Sequence, residues 1–250
     1  MVLEKKYSKS WIGREFKTNQ GYEGKVIDGG VKEGCCTIQI KDWSSEVRTQ
    51  CVKRGTIKYP YHPSVYGKGY FGVGEHKCET KGKVHVKSYS VWSSMMQRCY
   101  DPKYHITRPS YIGCSVDPKW HNYQVFAEWF YLNYKDDWVL DKDLLIKGNK
   151  IYGEDNCIFI PARLNTFLSN KQRSNTTGEI GVCVNKKGNK FRVGLSDVLT
   201  GKSIYIGSFN TIEEASNAYK EARGIQCENI KEIMINDYNI KDLRILNNIR

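Results

Sequence analysis

The sequence has no apolar run approaching the roughly 18 residues that span a membrane. Its first residues, MVLEKKYSKS, lack the apolar segment of a signal peptide. No Cys-x-x-Cys pair occurs, and the nine cysteines are an odd number, so the sequence predicts neither a structural zinc site nor a disulfide framework. No amphipathic basic helix favours a membrane surface. These absences favour a cytosolic protein with reduced thiols.

Acidic residues are also scarce relative to basic ones. The 250 residues carry a net charge of +12, which indicates a polyanionic partner, nucleic acid first and an anionic membrane surface second. Residues 1–87 contain 17 Lys and Arg against 9 Asp and Glu, a net of +8, so this part holds most of the excess. With 40% hydrophobic residues, the chain is large enough for two or three small cores.

One stretch, WVLDKDLLIKGNKIYGEDNCIFIPARLNTFLSN, has the pattern of a strand, a loop, a second strand and a helix. Pro161 is suited to the first helical position. Asp141 ends the first strand, Asn156 precedes the second, and Asn165 lies one turn inside the helix. Such a ββα unit can gather ligands around one metal ion. A plain alternative is an ordinary hairpin and helix whose asparagines cap turns.

At these residues the chain resembles the HNH (ββα-metal) nucleases, particularly phage-encoded homing-type members. The resemblance implies that Asp141 and Asn165 bind a divalent metal, magnesium or manganese, and that Asn156 orients the hairpin or the water. The family's usual general-base His is replaced by Lys142. A lysine is mostly a cation at neutral pH, so Lys142 would stabilise charge beside the scissile phosphate. Without the His, accepting the proton of the attacking water would fall to Asp143 or to the metal centre.

The C-terminal stretch GVCVNKKGNKFRVGLSDVLTGKSIYIGSFNTIEEASNAYKEA alternates apolar and basic residues, and then shows a capping box at Thr211 and Glu214 and a helical face of small residues. It resembles the Apetala-two type of DNA-binding domain, in which a helix packs on a three-stranded antiparallel sheet. The exposed sheet face of that family enters the major groove. The resemblance implies that the following residues contact DNA: Lys186, Lys187, Lys190, Arg192, Lys202 and Tyr205. The alternative is a solvated basic face.

Residues 1–75 show short alternating runs separated by glycines, which predict a small β barrel or a twisted sheet. Within them, Lys53, Arg54 and Lys58 are interleaved with tyrosines, a pattern typical of phosphate neutralisation beside base or sugar packing. The alternative is a glycine-rich loop whose tyrosines cover the barrel. RNA gains support only from this segment, which makes double-stranded DNA the favoured partner.

The sequence therefore predicts an α+β protein of several modules. A basic β-rich module at 1–75 and a connector at 76–87 precede an HNH-like module at 88–170, in which two aromatic helices act as scaffold. A linker at 171–178 leads to an Apetala-two-like module at 179–250, whose C-terminal segment docks through Ile240, Leu243 and Leu246. The expected function is metal-dependent cleavage or nicking of DNA in the cytosol of a phage-infected bacterium. The alternative is an inactive DNA-binding regulator or competitor that retains a degenerate HNH fold.

Overall fold

The protein is a mixed α+β structure with several small sheets. The computed structural model describes residues 7–168, 177–185, 187–198, 200–237, 240 and 242–249. The chain divides into two compact units, the first formed by Met1–Pro102 and Pro118–Ala127 and the second by Lys103–Asp117 and Glu128–Arg250. Across the described parts of the chain, no helix is both long and apolar enough to cross a membrane.

The first unit begins with an antiparallel meander and a short helix. Its elements are β1 (Glu15–Lys17), β2 (Glu23–Gly29), β3 (Cys35–Ile40), β4 (Trp43–Arg48) and α1 (Thr49–Arg54). Each strand pairs only with its neighbour in sequence, in the order β1-β2-β3-β4. The expected small barrel is therefore wrong, because β1 has only three residues and no described pairing joins it to β4. The sheet is open.

Alternation along the strands builds the core of this meander. Val26 on β2 and three residues of β3, at positions 36, 38 and 40, are fully buried. Val52 of α1 packs against them, so the helix covers one face of the sheet. Apolar side chains are buried at every second position along these segments, as expected for strands that pack one face on a core.

The two expected aromatic helices follow, the first within this unit and the second divided between the two units after Ala127. Helix α2 (Lys87–Tyr100) buries Trp92, Met95 and Cys99 on one face, as the sequence predicts. The indole nitrogen of Trp92 donates to the carbonyl of Trp120, 2.7 Å away, in the short helical turn before α4 (Tyr123–Asn133). Both helices are present as predicted.

The second unit contains the ββα segment. Its elements are α3 (Pro102–Thr107), β5 (Ser115–Val116), β6 (Trp138–Asp141), β7 (Ile151–Tyr152), β8 (Ile158–Pro161) and α5 (Ala162–Leu168). Strands β6 and β8 pair antiparallel, and β5 pairs parallel with β7. The strand, loop, strand and helix order is confirmed. Pro161 ends β8, and the helix starts one residue later.

A three-stranded sheet follows in the same unit. Its strands are β9 (Val182–Val184), β10 (Phe191–Ser196) and β11 (Ser203–Phe209), with β10 in the centre. Helix α6 (Ile212–Asn236) begins at Thr211, whose capping box with Glu214 is present as predicted. The sheet's inner face packs on the first half of α6 through Ala215 and Tyr219.

The second half of α6 packs elsewhere. Cys227, Ile230 and Met234 join a core that includes Ile160 of β8 and Leu164 of α5. One continuous helix of 25 residues therefore supports the three-stranded sheet with one half and the ββα segment with the other.

The chain ends with α7 (Leu243–Asn248), which docks on the same core. Ile240 is buried there and Leu246 packs at its edge, as expected. Leu243 is 71% exposed, so its predicted role in docking is wrong. Ile245 and Ile249 provide the contacts instead, because they lie on the face of the segment that meets α6.

Candidate metal centre and nucleic-acid interface

The pairing of β6 with β8 determines where Asp141 lies. Trp138 faces Pro161 at one end of the hairpin, and Asp141 faces Ile158 at the other. Asn156 precedes Ile158 by two residues and therefore lies at the same end as Asp141. Helix α5 starts directly after β8 and carries Asn165 on its first turn.

The Asp141 carboxylate is oriented by the backbone of the following loop. Its Oδ1 accepts hydrogen bonds from the amides of Asp143 (2.9 Å) and Leu144 (2.7 Å). Burial raises the pKa of Asp141, and the two amides offset part of that effect. Within the described residues, Oδ2 accepts no hydrogen bond. The two loop amides therefore orient the carboxylate through one of its oxygens.

Lys142 points inward. Its side chain is 9% exposed, and its ammonium donates to both carboxylate oxygens of Asp143 (2.8 Å each) and to the carbonyl of Asn149 (2.7 Å). A lysine ammonium has three protons, so this set uses its full donor capacity. Asp143, 56% exposed, is committed to the same ion pair. Lys142 ties the start of the loop to its end.

Asn149 also ties the start of this loop to its end, and its role was not predicted from the sequence. Its Nδ2 donates to the carbonyls of Lys142 (2.9 Å) and Ile151 (2.7 Å), and its Oδ1 accepts from the amide of Ile151 (3.0 Å). The only sequence signal was a Gly-Asn pair in a loop, which is typical of turns in general. Lys142 and Asn149 thus bracket the loop that orients Asp141.

Asn156 lies in a turn that Gly153 begins. The amides of Asn156 and Cys157 donate to the Gly153 carbonyl, at 3.1 and 3.0 Å. A β-carbon at Gly153 would lie 3.8 Å from Oδ2 of Asp117 and 3.9 Å from Nδ2 of Asn156. Asp117 follows β5, and its amide donates to the carbonyl of Tyr152 (2.8 Å). The structure thus adds to this end of the hairpin an acid that the sequence pattern did not indicate.

Asn165 is half-buried beside Leu164, which anchors α5 in the core. Its side-chain amide makes no hydrogen bond to any residue that the structure describes. Among those residues, no group of three or more His, Cys, Asp or Glu side chains could hold a metal ion. A metal at Asp141 would therefore depend on amide oxygens, water and substrate phosphate. Carboxylate, amide and water oxygens suit both magnesium and manganese, so the types of donor at Asp141 and Asn165 would fit either ion.

The outer face of the three-stranded sheet presents Arg192 and Tyr205 together. The Arg192 guanidinium lies 5.3 Å from the centre of the Tyr205 ring, and the Tyr205 hydroxyl donates to Ser208 Oγ (3.0 Å). A bulge between Val193 and Gly194 shifts the register, so that Tyr205 pairs with Gly194 and Ser208 with Arg192. Cys183 pairs with Arg192 from the other side. The bulge keeps Arg192 and Tyr205, both predicted to contact DNA, on one face of the sheet.

The expected lysines flank this pair. Lys187 and Lys190 are exposed in the turn between β9 and β10, and Lys202 is exposed just before β11. Because β10 runs between Lys190 and Lys202, they lie at opposite ends of a strand about 20 Å long. Lys186 lies outside the described residues.

The first unit exposes Lys53, Arg54 and Lys58 but does not expose all the tyrosines near them. Tyr59 is buried, and its ring contacts Tyr61 at 5.5 Å. Tyr59 therefore belongs to the core of the open sheet, whereas Tyr61 is 37% exposed. Comparison of the chain with protein-family models, curated proteins and solved structures finds no match.

Proposed function

We propose that the protein is a metal-dependent DNA endonuclease or nickase of the HNH homing type, with an Apetala-two-like reader. The observation that carries the proposal is the Asp141 carboxylate, held by two loop amides with its second oxygen unengaged by the described residues. It lies at the end of a ββα hairpin whose helix carries Asn165.

In this proposal, Asp141 and Asn165 hold magnesium or manganese, and Asn156 orients the hairpin or the attacking water. The bound metal supplies electrostatic stabilisation of the charge that develops on the phosphate and on the leaving oxygen. Lys142 and Asn149 keep the loop closed, so that the amides of Asp143 and Leu144 remain aimed at Asp141. Asp141 is thereby oriented before the metal binds.

The sheet β9–β11 would supply recognition. An arginine can bind guanine through two hydrogen bonds in the major groove, and Arg192 is held on the outer face beside Tyr205. The exposed Lys190 and Lys202 would bind phosphates on either side. A lone ββα unit has little surface for a specific site, which is why a separate reader suits this nuclease.

The test is incubation of supercoiled plasmid with purified protein, with and without manganese. We expect a metal-dependent shift to nicked or linear plasmid that Asp141→Ala abolishes. DNA binding should persist in that variant, because only a carboxylate near the phosphates is removed. Cleavage that survives Asp141→Ala would remove this site from the mechanism.

The second candidate is a DNA-binding regulator or competitor without catalysis. The observation that favours it is the inward orientation of Lys142, which occupies the position of the HNH general base and is engaged with Asp143 and Asn149. A wild-type protein that binds duplex DNA but leaves it intact at every manganese concentration would support this candidate and exclude the nuclease.

A further inference from the structure

We infer that Trp11, Arg14 and Lys53 form a phosphate-binding site that holds one strand of the DNA backbone on the first unit. The inference rests on the DNA-binding function proposed above. The Arg14 guanidinium lies 4.5 Å from the centre of the Trp11 ring, and the Lys53 ammonium lies 5.5 Å from it. One indole therefore holds two cations.

The backbones of both cationic residues are anchored. The Arg14 carbonyl accepts from the amide of the fully buried Val26 (2.8 Å), and the Arg14 amide donates to the Trp11 carbonyl (3.0 Å). Lys53 lies in the last turn of α1, which ends at Gly55 with φ of 65°. The Gly55 carbonyl accepts from the amide of Asn19 (2.7 Å), which ties the helix end to the β1–β2 turn.

Both cations are exposed, and in the described part of the chain neither pairs with a carboxylate. Since each lies close to the same ring centre, the two charges are at most about 10 Å apart. A DNA strand presents one phosphate for roughly every 3.4 Å of helix axis. Neighbouring phosphates on one strand can therefore neutralise both cations.

The site offers two exposed positive charges within about 10 Å of each other. It fits a polymer with regularly spaced phosphates, and it would add affinity without sequence preference. The indole holds the cations in place, which lowers the conformational entropy lost when they bind. Trp11 and Arg14 thus join Lys53, which the sequence had indicated together with Arg54 and Lys58.

The experiment measures binding of the full-length protein to a fluorescent duplex across roughly 50 to 200 mM salt. Arg14→Ala and Lys53→Ala should each reduce the slope of log affinity against log salt by roughly 0.9, and the double variant by roughly twice that. Lys32→Ala is the matched control, because Lys32 is an exposed lysine in the β2–β3 turn without a ring partner among the described residues.

Trp11 is tested separately, since its replacement leaves the net charge unchanged. Trp11→Leu should weaken binding by roughly 3- to 10-fold while keeping the wild-type salt slope, and Trp11→Phe should weaken it less. Circular dichroism identifies a Trp11 variant that fails to fold. The variants of the exposed Arg14 and Lys53 then still test whether this site binds phosphate.

Several results would overturn the inference. Duplex binding with a slope unaffected by Arg14→Ala and Lys53→Ala, or reduced equally by Lys32→Ala, would remove this site while leaving the proposed function intact. A wild-type protein that binds vesicles containing phosphatidylserine but no duplex would overturn both the site and the proposed function.

Discussion

Replacing Lys142 by Met should weaken the fold and the candidate metal centre together. The substitution keeps most of the aliphatic stem but removes three hydrogen bonds, two to Asp143 and one to the Asn149 carbonyl. Asp143 is 56% exposed and regains water, so its lost ion pair costs less than about 1 kcal/mol. The Asn149 carbonyl loses a charged donor at a half-buried position, which costs about 1.5 kcal/mol. The expected total is about 2 kcal/mol.

Urea unfolding measures this loss, with Lys147→Met as the control because Lys147 is exposed in the same loop. The control should change stability by less than about 0.5 kcal/mol. Cleavage should fall in Lys142→Met, since the loop whose amides orient Asp141 is no longer closed. Asn149→Ala should act similarly, and the double variant should lose less than the sum of the two single changes, because both residues close one loop.

One result would refute this reasoning. A Lys142→Met protein as stable as the wild type but without cleavage would make Lys142 a catalytic group. Lys142→His places in this position the residue that HNH nucleases carry. Activity above that of the wild type in that variant would show that this position limits the chemistry, whatever its effect on the loop.

Three further outcomes follow from the described geometry. Burial raises the pKa of Asp141 above its ordinary value of 3.8, so the stability associated with its protonated form is present below that value and is lost as pH rises through the folded-state pKa; Asp141→Asn should remove this loss, and urea unfolding of metal-free protein at a series of pH values from about 3 to 8 measures it. Arg192→Ala should cost about 1 to 3 kcal/mol of binding and relax base preference at one position, whereas Lys190→Ala should weaken all sequences alike in the same selection assay. Gly224→Ala should stabilise α6 by about 0.5 to 1 kcal/mol in thermal unfolding, because a β-carbon there meets open space.

Local patterns in the sequence predicted the elements well. The hairpin of β6 and β8, helix α5, the sheet β9–β11 and the Thr211 capping box all depend on periodicity or short-range chemistry. The closed barrel failed because alternation identifies strands but does not determine whether the first and last of them pair. The prediction that Leu243 docks the C-terminal segment was wrong, because the periodicity of a short segment does not determine which of its faces packs on the core.

The candidate site was only partly predictable. The motif singled out Asp141, Asn156 and Asn165 as candidates, and it placed Lys142 beside a phosphate. Its inward orientation depends on Asn149, seven residues away, whose carbonyl is one of several possible acceptors for an ammonium. Asp117 reaches the Gly153 turn through the parallel pairing of β5 with β7, a contact between segments far apart in sequence. Single-sequence patterns carry no information about such pairings.

Helix α6 fixes the distance between two of its packing positions. Ala215 packs against the three-stranded sheet and Met234 packs in the core beneath the ββα hairpin, and the 19 residue steps from one to the other correspond to about 28 Å of unbroken helix. In the proposed nuclease, this helix would set the interval between the bases that are read and the bond that is cut. Lengthening the segment at 171–178 should therefore leave the cut position unchanged, whereas inserting residues at Gly224, between the two halves, should displace it.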